Sequence, residues 1–162
     1  MSAQVSNAHW VVWMSLLIAI VLSIVPLPMW LSVARPAWVP LVVIYWTMAL
    51  PNRFGLFFAF ITGLILDLFF SSLFGLNAMG MLLVSFIVLS SHRRLRMFPW
   101  WQQTFIVFIV INCYQLLTMW IRSFVGLSDP TLWYLLPSVT SAILWPWAFA
   151  ALGFLRRYFR VV

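Results

Sequence analysis

Polar positions along this chain are so sparse that they act as punctuation between long apolar runs. A helix rises about 1.5 Å per residue, so about 20 residues cross a hydrocarbon core of roughly 30 Å. Cut at charges and turn residues, the chain falls into six runs of about that scale. The first extends from Trp10 to Leu31, past Pro26 and Pro28, and stops before Arg35. The second, a short one from Pro36 to Leu50, is closed by Pro51-Asn52-Arg53. Between Phe54 and Ser91 the only charge is Asp67. That stretch is too long for one span and just enough for two. Small, turn-tolerant residues place the break in Ser71-Ser72-Leu73-Phe74-Gly75, which predicts spans from Phe54 to Phe70 and from Leu76 to Ser91. The loop His92-Arg93-Arg94-Leu95-Arg96 follows, then Pro99 and a fifth span from Trp100 to Ile121, closed by Arg122. After a polar loop at Ser128-Asp129-Pro130, the sixth runs from Trp133 to Leu155 and ends at Arg156, Arg157 and Arg160.

The arginines orient this arrangement. With six spans, Arg53, Arg93, Arg94, Arg96, Arg156, Arg157 and Arg160 share one side, and only Arg35 and Arg122 lie on the other. The excess of positive charge in cytoplasmic loops then puts both termini in the cytoplasm. Trp10, Trp100 and Trp101 fall at the cytoplasmic ends and Trp30, Trp38, Trp120 and Trp133 at the outer ends, as an interfacial belt requires. Trp46, Trp145 and Trp147 lie deeper and are expected to pack between helices. The fold class is therefore an all-α, polytopic membrane helix bundle over residues 1–162, a single integral membrane domain of about six transmembrane helices.

Composition removes the soluble alternative. Of 162 residues, 65% are hydrophobic and 7% charged, against about 25% charged in an average soluble domain. Mean hydropathy is +1.09. All nine basic residues are Arg, and the net charge is +7. In a soluble chain such a charge points to nucleic acid; here the arginines end apolar runs, where topology and anionic lipid account for them. No nucleic-acid partner is expected. No Lys or Arg precedes Trp10 and no small-residue cleavage site follows the first run, so that run reads as a retained anchor.

Few residues can carry chemistry. Asp67 is a carboxylate inside a span, which is costly and marks a functional position by default. At 1.5 Å per residue it lies roughly 20 Å along its helix from Phe54, close to the outer end. A charged Asp near a helix C-terminus opposes the helix dipole, so it needs a partner or a proton. Arg35 and Arg122 are the candidate ion-pair partners. Asp67 is either an interfacial residue that pins helices together or a ligand or proton site. Gly55, Ala59, Gly63 and Asp67 recur every four residues on one face, and such small-residue faces allow close helix approach in lipid. Asn112, Gln115, Thr118 and Arg122 form a polar line down the fifth span. Both faces are candidates for internal packing or for a partner's helix. Cys113 is a lone cysteine in an apolar run, and His9 and His92 have no second ligand at metal spacing. No metal site, cofactor or enzymatic residue set is expected.

Several stretches together resemble the family of the rod-shape-determining membrane protein MreD. They are Arg35-Pro36-Ala37-Trp38 through Tyr45-Trp46 to Ala49-Leu50-Pro51-Asn52-Arg53, then Gly63-Leu64-Ile65-Leu66-Asp67-Leu68 and Phe74-Gly75-Leu76-Asn77-Ala78. Trp101-Gln102-Gln103 and Leu144-Trp145-Pro146-Trp147 complete the series. The resemblance runs from about Trp10 to Arg157. It implies a non-enzymatic subunit of the bacterial cell-elongation machinery for peptidoglycan synthesis, multi-pass in the inner membrane. It further implies MreC as the direct partner, with MreB, RodA and a penicillin-binding transpeptidase reached directly or indirectly. The family's helical arrangement is thought to resemble the substrate-binding subunits of energy-coupling-factor vitamin transporters, which leaves a small-solute binding subunit as the alternative. In either case the basic residues Arg93, Arg94, Arg96, Arg156, Arg157 and Arg160 would face cytoplasmic partners or anionic lipid.

Overall fold

The computed structural model describes residues 9–70, 73–127 and 131–161, and no strand occurs among them. The helices are α1 (His9–Ile24), α2 (Met29–Ser32), α3 (Trp38–Ala49), α4 (Leu56–Phe69), α5 (Leu76–Met97), α6 (Trp100–Phe124) and α7 (Leu136–Tyr158). A single turn of 3₁₀-helix, Leu132–Leu135, leads into α7. Each apolar run of the sequence is thus a helix. Ser71, Ser72 and the Ser128–Pro130 loop, where two breaks are expected, lie outside the described residues.

The boundaries depart from expectation for readable reasons. The first run stops at Ile24 instead of Leu31. Pro26 lacks an N–H and restricts the residue before it; the chain restarts only as the four-residue α2. The fourth run goes the other way. The helix continues through His92, Arg93, Arg94 and Arg96 to Met97, so the expected basic loop is the last two turns of α5. Cations suit a helix C-terminus, and the helix ends only where Phe98 turns extended before Pro99. Three segments are long and apolar enough to cross a membrane: Leu76–Met97, Trp100–Phe124 and Leu132–Tyr158. Helices α1, α3 and α4 are apolar but shorter, at 16, 12 and 14 residues.

The short α3 is the axis of the molecule. Every residue from 39 to 49 is buried. Helices α1, α5 and α7 pack around it, α4 lies along α5, and α6 closes the gap between α5 and α7. A helix enclosed by protein on all sides does not have to match the bilayer, which allows its 12 residues. Apolar side chains also cover the outside, among them Leu17, Ile18, Phe57, Phe86, Ile109, Ile143 and Phe154. A surface of this kind requires lipid as its solvent.

In lipid, burial of apolar area does not favour one helix contact over another, so close fit and hydrogen bonds must hold the bundle. The fit is tightest between α4 and α5. A Cβ built on Gly63 would stand 2.3 Å from Ala78 Cα. Farther along, the Tyr114 ring of α6 occupies the space above Gly80 of α5. The hydrogen bonds tie α3 to its neighbours. Trp46 Nε1 donates to Ser15 Oγ of α1 at 2.9 Å, and the Ala37 N–H at the start of α3 donates to Ser141 Oγ of α7 at 2.8 Å. Of the three deep tryptophans, Trp46 and Trp145 are buried as expected, whereas Trp147 is 75% exposed and faces outward.

Candidate functional site

Polar side chains gather where α4 ends, α5 begins and α6 finishes. Asp67 in the last turn of α4 is only 2% exposed. Its Oδ2 accepts the Gly75 N–H at 2.8 Å. Its Oδ1 accepts the Asn77 N–H at 3.0 Å and Asn77 Nδ2 at 2.9 Å. These are the first free amides of α5, so the carboxylate of one helix caps the start of the next. The dipole conflict at the end of α4 is met by a favourable one at the N-terminus of α5. Gly75 permits the approach, because its φ of 94° is a left-handed conformation that side chains disfavour. The chain of bonds extends further: the Tyr114 hydroxyl of α6 donates to Asn77 Oδ1 at 2.6 Å. Asn77 and Tyr114 were not among the residues the sequence singled out as sites. The signal for Asn77 was present as an amide just past a Gly at a helix start; Tyr114 carried none.

The two outer arginines have separate surroundings. Arg35 Nη1 donates to the Ser23 carbonyl and Nη2 to the Val25 carbonyl at 2.7 Å, so the guanidinium closes the C-terminus of α1. Its Nε is buried with no hydrogen-bond partner. Arg122, in the last turn of α6, lies beside Tyr114. Both arginines line one cavity of about 370 Å³, together with Asn77, Tyr114, Gln115, Thr118 and Tyr134.

The two expected packing faces are both used inside the bundle. Ala59 and Gly63 are buried, Gly63 against Ala78 and Asn77 of α5, and Gly55 lies near Leu89 of the same helix. On α6, Asn112 Oδ1 accepts the Ser138 hydroxyl of α7 at 3.1 Å, and Thr118 is buried with its hydroxyl on its own helix carbonyls. Gln115 and Arg122 are half-buried at the cavity.

At the opposite end lie the remaining arginines. Arg93, Arg94, Arg157 and Arg160 are exposed. Arg96 is committed to structure: its Nε donates to the Met48 carbonyl at 3.0 Å and its Nη2 to the Ala49 carbonyl, which closes the C-terminus of α3. Beside it, Gln103 Nε2 donates to the Leu95 carbonyl at 2.7 Å and closes the end of α5. Arg156 and Tyr45 of α3 line a common recess beside it. Among the described residues no three His, Cys, Asp or Glu side chains come together.

The order of these features along the chain has a counterpart among known proteins. A family model described as rod shape-determining protein MreD matches residues 4–155. The chain belongs to the MreD family. It is similar to the Rod shape-determining protein MreD of Haemophilus influenzae (strain ATCC 51907 / DSM 11121 / KW20 / Rd), with 29% identity over 140 residues that cover 86% of each chain. No solved structure matches. Family membership and the three long apolar helices make this a membrane protein of the rod-shape-determining class. The Asp67 cap, the Gly63–Ala78 contact and the Asn77–Tyr114 bond all fall within the matched residues.

Proposed function

We propose that this chain is a non-catalytic, multi-pass subunit of the bacterial cell-elongation complex in the inner membrane, with both termini cytoplasmic. It holds MreC by helix–helix contact within the bilayer. MreB, RodA and a penicillin-binding transpeptidase are reached directly or through MreC. The observation that carries this reading is the family match over nearly the whole chain. A supporting one is that the helices follow one another closely along the chain, from α1 (His9–Ile24) to α7 (Leu136–Tyr158).

On this reading MreC docks away from the two faces used inside the bundle. The Gly55–Ala59–Gly63 face is covered by α5, and the Asn112 side of α6 is bonded to α7. A partner helix therefore meets the outward apolar surfaces, and the exposed Arg93, Arg94, Arg157 and Arg160 remain for cytoplasmic partners or anionic lipid. Depletion of the protein in its own host tests the role. Rod cells round up in both minimal and vitamin-rich media, and the protein co-purifies with MreC. Cells that keep their shape but need a vitamin overturn the scaffold reading. They would favour the second one, a small-solute-binding membrane subunit arranged like those of energy-coupling-factor transporters. The polar cavity between α3, α6 and α7 is the feature that speaks for that second reading.

A further inference from the structure

Arg35 and Arg122, both half-buried and both near helix ends, line one cavity, and two like charges there need an account. A guanidinium held in a low-dielectric site without a counter-charge is strongly unfavourable, and one left short of hydrogen-bond partners is worse. Arg35 and Arg122 come from different parts of the chain, the connection before α3 and the last turn of α6, and both line the same cavity. Neither forms an ion pair among the described residues. Arg35 spends two nitrogens on the carbonyls of Ser23 and Val25, and its buried Nε is left over. The Arg122 guanidinium makes no hydrogen bond among the described residues, although its backbone carbonyl accepts the Leu127 N–H. The Asp67 carboxylate, adjacent through Asn77, is occupied by the α5 amides. Among the described residues the lining holds no carboxylate, so the wall carries two positive charges.

The rest of the lining suits a ligand with oxygen atoms. Asn77, Tyr114, Gln115, Thr118 and Tyr134 add amide and hydroxyl groups, while Trp38, Val39 and Leu66 supply apolar wall. A volume of about 370 Å³ falls within the roughly 300–1,000 Å³ of small-ligand sites. Guanidinium groups present planar forks of donors that match carboxylate and phosphate oxygens. We infer that this cavity binds an oxyanion, a phosphate or carboxylate group, between Arg35 and Arg122 at the end of the bundle opposite the arginine-rich one. The inference is independent of the elongation role and holds for either reading above. The group arrives from one of two sources, the headgroup of an anionic lipid or a free solute.

The full chain in neutral maltoside detergent provides the test. Its unfolding temperature is measured against sodium phosphate at fixed ionic strength, against short-chain phosphatidylglycerol, and against the matching phosphatidylcholine. A ligand that binds only the folded state raises the midpoint in proportion to its occupancy. Phosphate or phosphatidylglycerol raises it, and phosphatidylcholine does not. Arg122→Gln, which removes no bond that holds the helices, weakens the anion by about tenfold or more, the effect of one lost charge-assisted contact. Arg157→Gln, at the other end, leaves the affinity as it was. A response to phosphate identifies a soluble oxyanion, and a response confined to phosphatidylglycerol identifies a lipid headgroup; both support the site. No anion-dependent rise, an equal rise with phosphatidylcholine, or unchanged affinity in Arg122→Gln overturns it. If Arg122→Gln fails to fold, Arg122→Lys keeps the charge without the fork, and unweakened binding there is equally fatal.

Discussion

Replacement of Asp67 by Asn isolates the charge of the α5 cap with almost no change in shape. Among the described residues, three donors converge on the native carboxylate: the N–H groups of Gly75 and Asn77 and the Asn77 amide. A carboxylate accepts all three. A side-chain amide has one accepting oxygen, and its NH₂ must face at least one donor. One bond is therefore lost outright and the others fall from charge-assisted to neutral. Hydrogen bonds to a charged group contribute about 1.5–3 kcal/mol net, neutral ones about 0.5–1.5, and a buried donor left unpaired costs about 1–3. With Asp67 only 2% exposed, water cannot compensate. The expected loss is about 3–5 kcal/mol, and at 2–4 °C per kcal/mol for a chain of this size the unfolding midpoint falls by at least about 6 °C. The assay is thermal unfolding of the detergent-solubilised chain. A double-mutant cycle with Asn77→Ala is then expected to show a coupling of at least about 0.5 kcal/mol, as residues of one network do. An unchanged midpoint refutes the capping account. So does a cycle in which Asp67 couples more strongly to Arg35 or Arg122 than to Asn77, because it would restore the ion pair as the dominant interaction.

Other substitutions probe the remaining contacts in the same unfolding assay. Gly63→Ala puts a methyl 2.3 Å from backbone of α5, and overpacking there costs about 2 kcal/mol or more, with α4 forced off α5; a neutral result would mean the two helices can separate freely. Ser15→Ala strands the buried Trp46 indole N–H and lowers stability by about 1–3 kcal/mol. Arg96→Ala uncaps α3 and costs about 1 kcal/mol, whereas Arg93→Ala, one turn away and equally exposed, removes no bond to α3 and changes the midpoint little. Equal effects at Arg93 and Arg96 would show that charge at this end, and not the bonds to Met48 and Ala49, is what stabilises it.

Much of the architecture was legible because the bilayer imposes it. With so few charges, each Arg had to lie near the end of an apolar run, and the runs Trp100 to Ile121 and Leu76 to Ser91 are helices from their first residue. The order of Pro51-Asn52-Arg53, the Gly63–Asp67 stretch and Trp145-Pro146-Trp147 was also enough to signal the family. Local boundaries failed where a neighbour intervened. The arginines after Ser91 predict a loop because charge usually ends an apolar run, yet Arg96 is kept helical within reach of the α3 carbonyls.

The partners of the polar side chains were decided by tertiary structure alone. Charge made Arg35 and Arg122 the natural candidates for Asp67. Only the fold brings the free amides at the start of α5 against the end of α4, and only the fold places Tyr114, 37 residues along the chain, within reach of Asn77. The same holds for α3. Its composition resembles that of the other helices, and nothing in a row of apolar residues says whether lipid or protein will surround them. Sequence determines which segments leave water, because that depends on each segment's own transfer free energy. Which of them ends in the centre, and which pair of arginines shares a cavity, depends on how the helices fit one another.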